Sequence, residues 1–486
     1  MKNKEIWFIV GTQDLYGPAV LKTVEQRAKE MAKFYDKQKA IPCKFVFKAM
    51  VLTEEVCTKI MKEANYNDKC IGIVTWCHTF SPSKMWINGL KILQKPWCHL
   101  ATQHHLVVPD KEIDMDFMNL NQASHGDREH GFIGARLRLP RKIISGHWKD
   151  AEVIKSLGKW MRVAYGYNES QNLKVCRFGD NMREVAVTEG DKVEAQIKFG
   201  WQVNTWPVFE VVEEMAKISN KEVDKLMNQY KKEYKIGTKK LQNIRTQARE
   251  ELAIRRILDR NGAKGLVTTF QDLCGMPQLP GLAAQHLMGQ GYGFGAEGDW
   301  KLCCLTRVIK AMTKGMPGGT TFMEDYSYNM AKGEEWELGA HMLEICPSIA
   351  ANKPTIITKP LGIGKNPEDP ARLVFDSKTG KATATTLVDM GNKFRIICQD
   401  IELIKAPLKM PNLPVAKVVW KMQPSLKDGI KFWILAGGAH HNTLSLDADA
   451  EMIRDWAEMC GVEYVHIGKE TTYESLKMQL DLFDRK

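Results

Sequence analysis

The chain has no apolar run of membrane length, no C-x-x-C pair among its twelve cysteines, and no internal repeat or low-complexity segment. A bilayer span needs about 20 consecutive apolar residues. The stretch that follows Met1, Lys2, Asn3, Lys4 and Glu5 is far shorter, too short even for the hydrophobic region of a secretory signal. Neither a membrane protein nor an exported one is expected, and the expected location is cytoplasmic. The cysteines sit in apolar runs such as CIGIVTWCHTF, KLCCLTRVI and FRIICQD, as buried thiols in a reducing compartment do, which excludes a disulfide framework. A phosphate-binding loop is also missing. The glycines at 289, 291, 293 and 295 of GQGYGFGAEG fit neither G-x-G-x-x-G nor G-x-x-x-x-G-K-[ST]. The formal charge of +11 is dispersed, and the densest basic stretch, from Lys231 to Arg256, interleaves Glu233, Glu250 and Glu251. That pattern describes a solvated helix face, so no nucleic-acid partner is expected.

At 486 residues the chain exceeds what one hydrophobic core supports, so several domains are expected. The first third alternates strand-like and helix-like runs: EIWFIV, LKTVEQRAKEMAKFY, CKFVFKAM, a helical pattern over 54–64, CIGIVTW and KMWINGLKIL. This order predicts a doubly wound parallel sheet, with the loops GTQDLYGP and CHTFSP leaving its ligand-binding edge. The polar segment YGYNESQN reads as a boundary before the strand LKVCRFGD. Helices then dominate 207–260, followed by the strand GLVTTF and helices over 281–288 and 300–313, a second α/β unit. From Gly318 the pattern turns β-rich: RLVFDSKTGKATATTLVDMGNKFRIICQDIELI reads as three strands of an antiparallel meander, and a helix over 447–459 closes the domain. The expected fold is therefore α/β: an N-terminal doubly wound parallel-sheet domain (1–170), a central α/β domain (171–317) and a C-terminal β-rich, antiparallel barrel-like domain (318–486).

Four residues carry chemistry: Glu297 in GYGFGAEGDW, Glu324 in TTFMEDYSY, His341 in LGAHMLEICPS and His441 in WILAGGAHHN. Each is an ionisable group in a glycine-rich or apolar run, where it persists only if paired, hydrogen-bonded or bound to a cation. Singly, each has a bland reading as a helix cap or a satisfied core residue. Together, two carboxylates and two imidazoles suit one divalent metal, with Mn²⁺ favoured and Co²⁺, Mg²⁺ or Fe²⁺ as competitors. The apolar run before Gly437 and Gly438 reads as a strand whose carboxyl end presents the His doublet to a crevice. A metal binding adjacent carbonyl and hydroxyl oxygens would acidify the C–H between them, and two glutamates could move the proton from one carbon to the next.

The motifs WINGL, IDMDFMNLNQ, GFIGAR, KVCRFGDNMREVAVTEGDKV, QIKFGWQVNTW, QGYGF, AEGDWK, FMEDY, HMLEICPSIA, KPLGIG, DPARLVF and WILAGGAHH together resemble the L-arabinose isomerases over nearly the whole chain. The resemblance implies an aldose–ketose isomerase that converts L-arabinose to L-ribulose, with a side activity from D-galactose to D-tagatose. It implies one Mn²⁺ per subunit, with Co²⁺ or Mg²⁺ as substitutes, and a homohexamer. The metal ligands would be Glu297, Glu324, His341 and His441, with Glu297 and Glu324 also serving as acid and base. His440 would be a supporting neighbour. Gln13, Leu15, His125, Met182 and Phe270 match positions lining the sugar pocket, and His125 is expected to reach the pocket of a neighbouring subunit. Two departures stand out: Asp14 occupies a position where the family usually has His, and the tail after Tyr473 is shorter than usual. Two other classes use similar residues. A metal hydrolase would activate water with the same ligands, and a sugar-binding module would need no acid and base.

Overall fold

The computed structural model describes residues 1–363 and 366–485; Gly364 of the KPLGIG motif, Lys365 and Lys486 lie outside it. The chain forms two compact units, Met1–Asn168 and Glu169 onward. No helix among the described residues is long and apolar enough to cross a membrane.

The first unit is built on a parallel sheet of β1 (Glu5–Gly11), β2 (Lys44–Val51), β3 (Cys70–Cys77), β4 (Trp97–Ala101) and β5 (Lys142–Ser145), ordered β2-β1-β3-β4-β5. Every residue of β3 is buried, as expected for a strand covered by helices on both faces. Helix Gly17–Asp36 shows how the pattern works: Val24, Ala28, Met31, Ala32 and Tyr35 recur at helical spacing and are its buried residues. The strand order reverses between β1 and β3, so the loops after these two strands flank the crevice that such a sheet opens at its carboxyl edge. The Thr12 and Thr79 hydroxyls join those loops at 2.7 Å.

The two units divide at Asn168/Glu169, inside the segment YGYNESQN where a boundary was expected, but that segment is not turn-rich: helix Ala151–Ser170 runs through most of it. Tyr, Asn and Ser are modest helix formers, yet tertiary bonds hold the last turn: the Ser170 hydroxyl donates to the Phe199 carbonyl (2.8 Å) and accepts from the Trp201 indole (2.8 Å).

The second unit opens with β6 (Lys174–Phe178), β7 (Gln202–Trp206), β8 (Lys235–Ile236), β9 (Gly265–Val267) and β10 (Gly293–Gly295). Four of these form a parallel sheet ordered β10-β9-β6-β7. Helices Val208–Ala216, Asn220–Glu233, Leu241–Asn261, Gly281–Gly289 and Trp300–Met312 agree with the helical reading of this region.

The β-rich remainder comprises β11 (Thr320–Asn329), β12 (Trp336–Ala340), β13 (Thr355–Thr358), β14 (Ala371–Val374), β15 (Gly380–Asp389), β16 (Phe394–Ile404), β17 (Val418–Met422), β18 (His441–Ser445) and β19 (Glu463–Ile467). Antiparallel pairing runs β11-β12-β17-β16-β15-β18 and returns to β11, a closed six-stranded barrel, with β19 parallel to β16 outside the ring. Closure removes the free edges an open sheet would expose. The expected three-stranded meander holds only for the hairpin β15–β16. Strand β14 joins β13 and β8 in a separate sheet.

The run FWILA is not a strand. Ser425 caps helix Leu426–Ala436 by accepting from the Asp428 amide, and Gly437 ends it in the left-handed conformation (φ 84°). A short apolar run is ambiguous by periodicity alone, and the caps decide it. His441 consequently opens strand β18 instead of closing one. After helix Ala450–Cys460 come β19 and helix Tyr473–Asp484, the latter with a Thr472/Ser475 capping box.

Candidate metal centre

Strand β10 and the barrel strands β11, β12 and β18 deliver the four sequence-selected ligands to one place. After Gly295 the chain turns through Ala296, Glu297 and Gly298 before Asp299 caps helix Trp300–Met312. Glu297 itself is left-handed (φ 55°), an uncommon conformation for a side-chain-bearing residue. Gly298 (φ 81°) lies so close to the neighbouring chain that a Cβ there would meet the Asn181 Cα at 2.4 Å. The Glu297 carbonyl accepts from the Met182 amide at 2.9 Å, which ties the turn to the loop after β6.

Glu324 on β11 pairs directly with His441 on β18, and on its other side with Ala340, the last residue of β12. Directly opposed residues project their side chains from the same face. This ladder therefore sets Glu324 beside His441 and close to His341, which follows Ala340.

Both imidazoles are buried, and each is held at one nitrogen and free at the other. His341 Nδ1 lies 2.5 Å from Glu344 Oε2, and His441 Nδ1 lies 3.1 Å from Asp299 Oδ2. Neither Nε2 has a hydrogen-bond partner among the described residues. His341 Nε2 lies 3.8 Å from Glu324 Oε2, and His441 Nε2 lies 3.8 Å from Glu297 Oε2. Phe322 sets its ring edge-on to both imidazoles, with centroids at 5.3 and 4.9 Å, and Phe270 stacks on His341 at 5.9 Å.

An imidazole whose Nδ1–H is fixed by a carboxylate and whose Nε2 is bare has the tautomer and aim that a metal ligand needs. The ligand atoms of Glu297, His341 and His441 lie within 4.8 Å of one another, as do those of Glu324, His440 and His441. Ligand atoms around one ion at about 2.1 Å would lie roughly 3–4 Å apart. The residues present therefore fit a divalent cation.

The electrostatics agree. Burial pulls His341 downward, but Glu344, Glu324 and Glu297 outweigh it and carry the imidazole up to about 9. At His441 burial wins and the imidazole is lowered. Burial works upward on Glu297, yet the hydrogen bond from His440 and the nearby imidazoles leave it below the usual carboxylate range. Asp299, fully buried, is likewise held low despite burial by Lys301 and His441. The centre thus mixes carboxylates held ionised with imidazoles that a cation can deprotonate.

Matches to known proteins cover the chain in three successive pieces: the L-arabinose isomerase N-terminal domain at residues 1–172, the central domain at 174–315 and the C-terminal domain at 319–463. The chain belongs to the L-arabinose isomerase family. It is 49% identical over 486 residues to the L-arabinose isomerase of Mannheimia succiniciproducens, covering 99% of this chain and 98% of that one. It is 52% identical over 481 residues to that of Clostridium beijerinckii (99% and 98%), and 50% identical over 486 residues to that of Geobacillus kaustophilus (99% and 97%).

Of the residues that the resemblance assigns to the sugar pocket, Met182 and Phe270 stand at the candidate metal centre, the first through its amide to the Glu297 carbonyl and the second through its ring on His341. Gln13, Leu15 and His125 belong to the first unit. Gln13 follows β1, and Leu15 is exposed in the single turn Asp14–Tyr16 beside Asp14, which is also exposed. His125 lies on helix Ala123–Arg136, stacked on Phe80 at 4.2 Å. The motifs AEGDWK, HMLEICPS and TTFMEDY also carry Asp299, Glu344 and Phe322, whose parts in the centre their local patterns do not reveal. The available signals were a carboxylate two residues after Glu297 and another three residues after His341.

Proposed function

We propose that the protein interconverts L-arabinose and L-ribulose, with a secondary action from D-galactose to D-tagatose, using one Mn²⁺ per subunit for which Co²⁺ or Mg²⁺ can substitute. The observation that carries this reading is the pair of buried imidazoles, carboxylate-held at Nδ1 and bare at Nε2, facing Glu297 and Glu324. A bound divalent cation supplies Lewis acidity, drawing electron density from the oxygens on C1 and C2 of an open-chain sugar. His341 and His441 hold that cation together with the two glutamates. Glu297, ionised and left-handed at the end of its turn, takes the C2 proton while Glu324 protonates O1 to give the enediol; Glu324 then takes the O2 proton as Glu297 returns its proton to C1, which yields the ketose and leaves both glutamates as they began. Phe270 and Phe322 exclude water from the imidazoles. D-Galactose keeps the C2 to C4 stereochemistry of L-arabinose and adds a hydroxymethyl group, which is why the same centre accepts it.

Gln13, Leu15, His125, Met182 and Phe270 are the proposed sugar contacts, in a cytoplasmic homohexamer where His125 of one copy completes the pocket of another. The domain bounds 1–170, 171–317 and 318–486 belong to the same proposal, supported by the change from parallel sheet to barrel at β11. The test is ketose formation from L-arabinose by Mn²⁺-loaded protein with no bond cleavage, which separates isomerase from hydrolase. Glu297→Gln and Glu324→Gln, fully metal-loaded, are each expected to lower kcat more than about tenfold, ~1.4 kcal/mol or more of barrier. Ketose formation at the wild-type rate by either variant removes that residue from the chemistry.

A further inference from the structure

Glu324 faces the imidazoles from one side of strand β11, and its neighbour Asp325 projects from the other, into the barrel, because side chains alternate along a strand. The ladder pairs Asp325 with Gly339, Met323 with Asn442, and Glu337 with Trp420. Asp325, Asn442, Glu337 and Trp420 therefore share the interior face, beside the apolar core to which Met323, Trp420 and Leu444 belong.

The polar groups on this face are only partly satisfied. Asn442, 0% exposed, donates its Nδ2 to Asp325 Oδ1 at 2.7 Å, while its own Oδ1 has no partner among the described residues. Glu337 is also 0% exposed, and neither of its carboxyl oxygens has a hydrogen-bond partner among the described residues. The Trp420 indole N–H, across the ladder, favours the carboxylate without making a hydrogen bond of normal geometry. A buried carboxyl with bare oxygens is strongly unfavourable as an anion unless a cation meets it. Burial, with Asp325 adding repulsion, pushes Glu337 up to about 10.

We propose that the barrel interior is a second cation site, separate from the imidazole centre, in which Glu337, Asp325 and the Asn442 amide oxygen take a hard divalent cation of the calcium or magnesium kind. The donor set is oxygen only, with two carboxylates to balance two positive charges and no imidazole or thiolate to favour a transition metal. The free Asn442 Oδ1 is an independent pointer, since an uncharged amide oxygen on a side chain bonded to the Asp325 carboxylate can neutralise nothing but can ligate. Trp420 can then donate to a carboxylate oxygen that the ion leaves unused. The proposal does not depend on the reaction assigned to the imidazole centre.

Chelator-treated His341→Ala/His441→Ala protein, which lacks both imidazoles, is titrated calorimetrically with CaCl₂ and with MgCl₂. Intact protein preloaded with Mn²⁺ is titrated in parallel, so that the result does not rest on the double variant alone. One equivalent per chain is expected in both proteins, with proton release and a raised melting temperature. Glu337→Gln should weaken this uptake at least ~100-fold by removing a ligand charge, while Mn²⁺ still binds the otherwise intact chain at one equivalent. Absence of Ca²⁺ and Mg²⁺ uptake at about 1 mM, the weak end for protein sites, overturns the proposal, as does uptake that survives Glu337→Gln. Glu337 is then simply a neutral acid buried in the barrel.

Discussion

Replacing Asp299 by Asn keeps the side chain's shape and removes its charge, so it isolates what the carboxylate does for His441. Asp299 accepts from three sides: His441 Nδ1 lies 3.1 Å from Oδ2, the Leu302 amide 3.2 Å from Oδ1, and the Lys301 ammonium 3.5 Å from Oδ1, with Asp299, Lys301 and His441 side chains at 0% exposure. An asparagine has one acceptor oxygen for two N–H donors, so either His441 or Leu302 loses its partner. Lys301 is less affected, because it also donates to the carbonyls of Val187 (3.1 Å) and Glu189 (2.6 Å). If Leu302 is orphaned, the helix loses its cap, at a cost of about 1 kcal/mol. An unmet buried donor at His441 costs about 1–3 kcal/mol. Loss of a carboxylate behind a ligating imidazole typically weakens metal binding about 10–100-fold, or ~1.4–2.8 kcal/mol. Competition of Mn²⁺ against a fluorescent chelator measures this directly, with Asp299→Ala as the more severe companion. Affinity within threefold of wild type in Asp299→Asn would refute the reasoning, since His441 would then need no carboxylate to keep its tautomer and aim.

Within the His doublet, His441→Ala should weaken Mn²⁺ binding far more than His440→Ala, because His441 Nε2 is bare and buried while His440 Nε2 is drawn to Glu297 at 3.4 Å; equal affinities in the same chelator competition would reverse the assignment. Gly298→Ala should destabilise by about 2–4 kcal/mol, combining left-handed strain with the clash at Asn181, read as a shift in the urea midpoint. The first unit should lose stability in mild acid. Burial, aided by the Arg27 guanidinium, lowers His78 to about 3, and burial lowers the His130 imidazole as well. Both are depressed below the unfolded value near 6.5, so their contribution is fully present above about pH 6.5 and is lost as pH falls toward 3, at up to ~1.4 kcal/mol per pH unit for each site. Amide protection factors at β3 in the intact protein, corrected for the intrinsic pH dependence of exchange, should fall over that window, and pH-independent protection there would contradict it.

What was legible in the sequence was what local pattern encodes. A strand buried on both faces reads as a continuous apolar run, so CIGIVTWC announced the parallel sheet. An ionisable residue in an apolar or glycine-rich run is anomalous wherever it folds, so Glu297, Glu324, His341 and His441 stood out before their neighbours were known. Turn-bounded strands announced a β-rich barrel-like region. Local pattern failed where two conformations share one signature: FWILA is apolar throughout, and only Ser425 and Gly437 at its ends make it a helix. It failed again at YGYNES, where bonds from Phe199 and Trp201 extend a helix that propensity would end. Tertiary structure alone decided the pairings. The closing contact of β15 with β18, the transfer of β14 to another sheet, and the opposition of Glu324 to His441 are matters of register between distant segments. The carboxylates behind the imidazoles were hidden for the same reason: Asp299 is 142 residues from His441, and no spacing rule relates them until the barrel closes and buries both in one place.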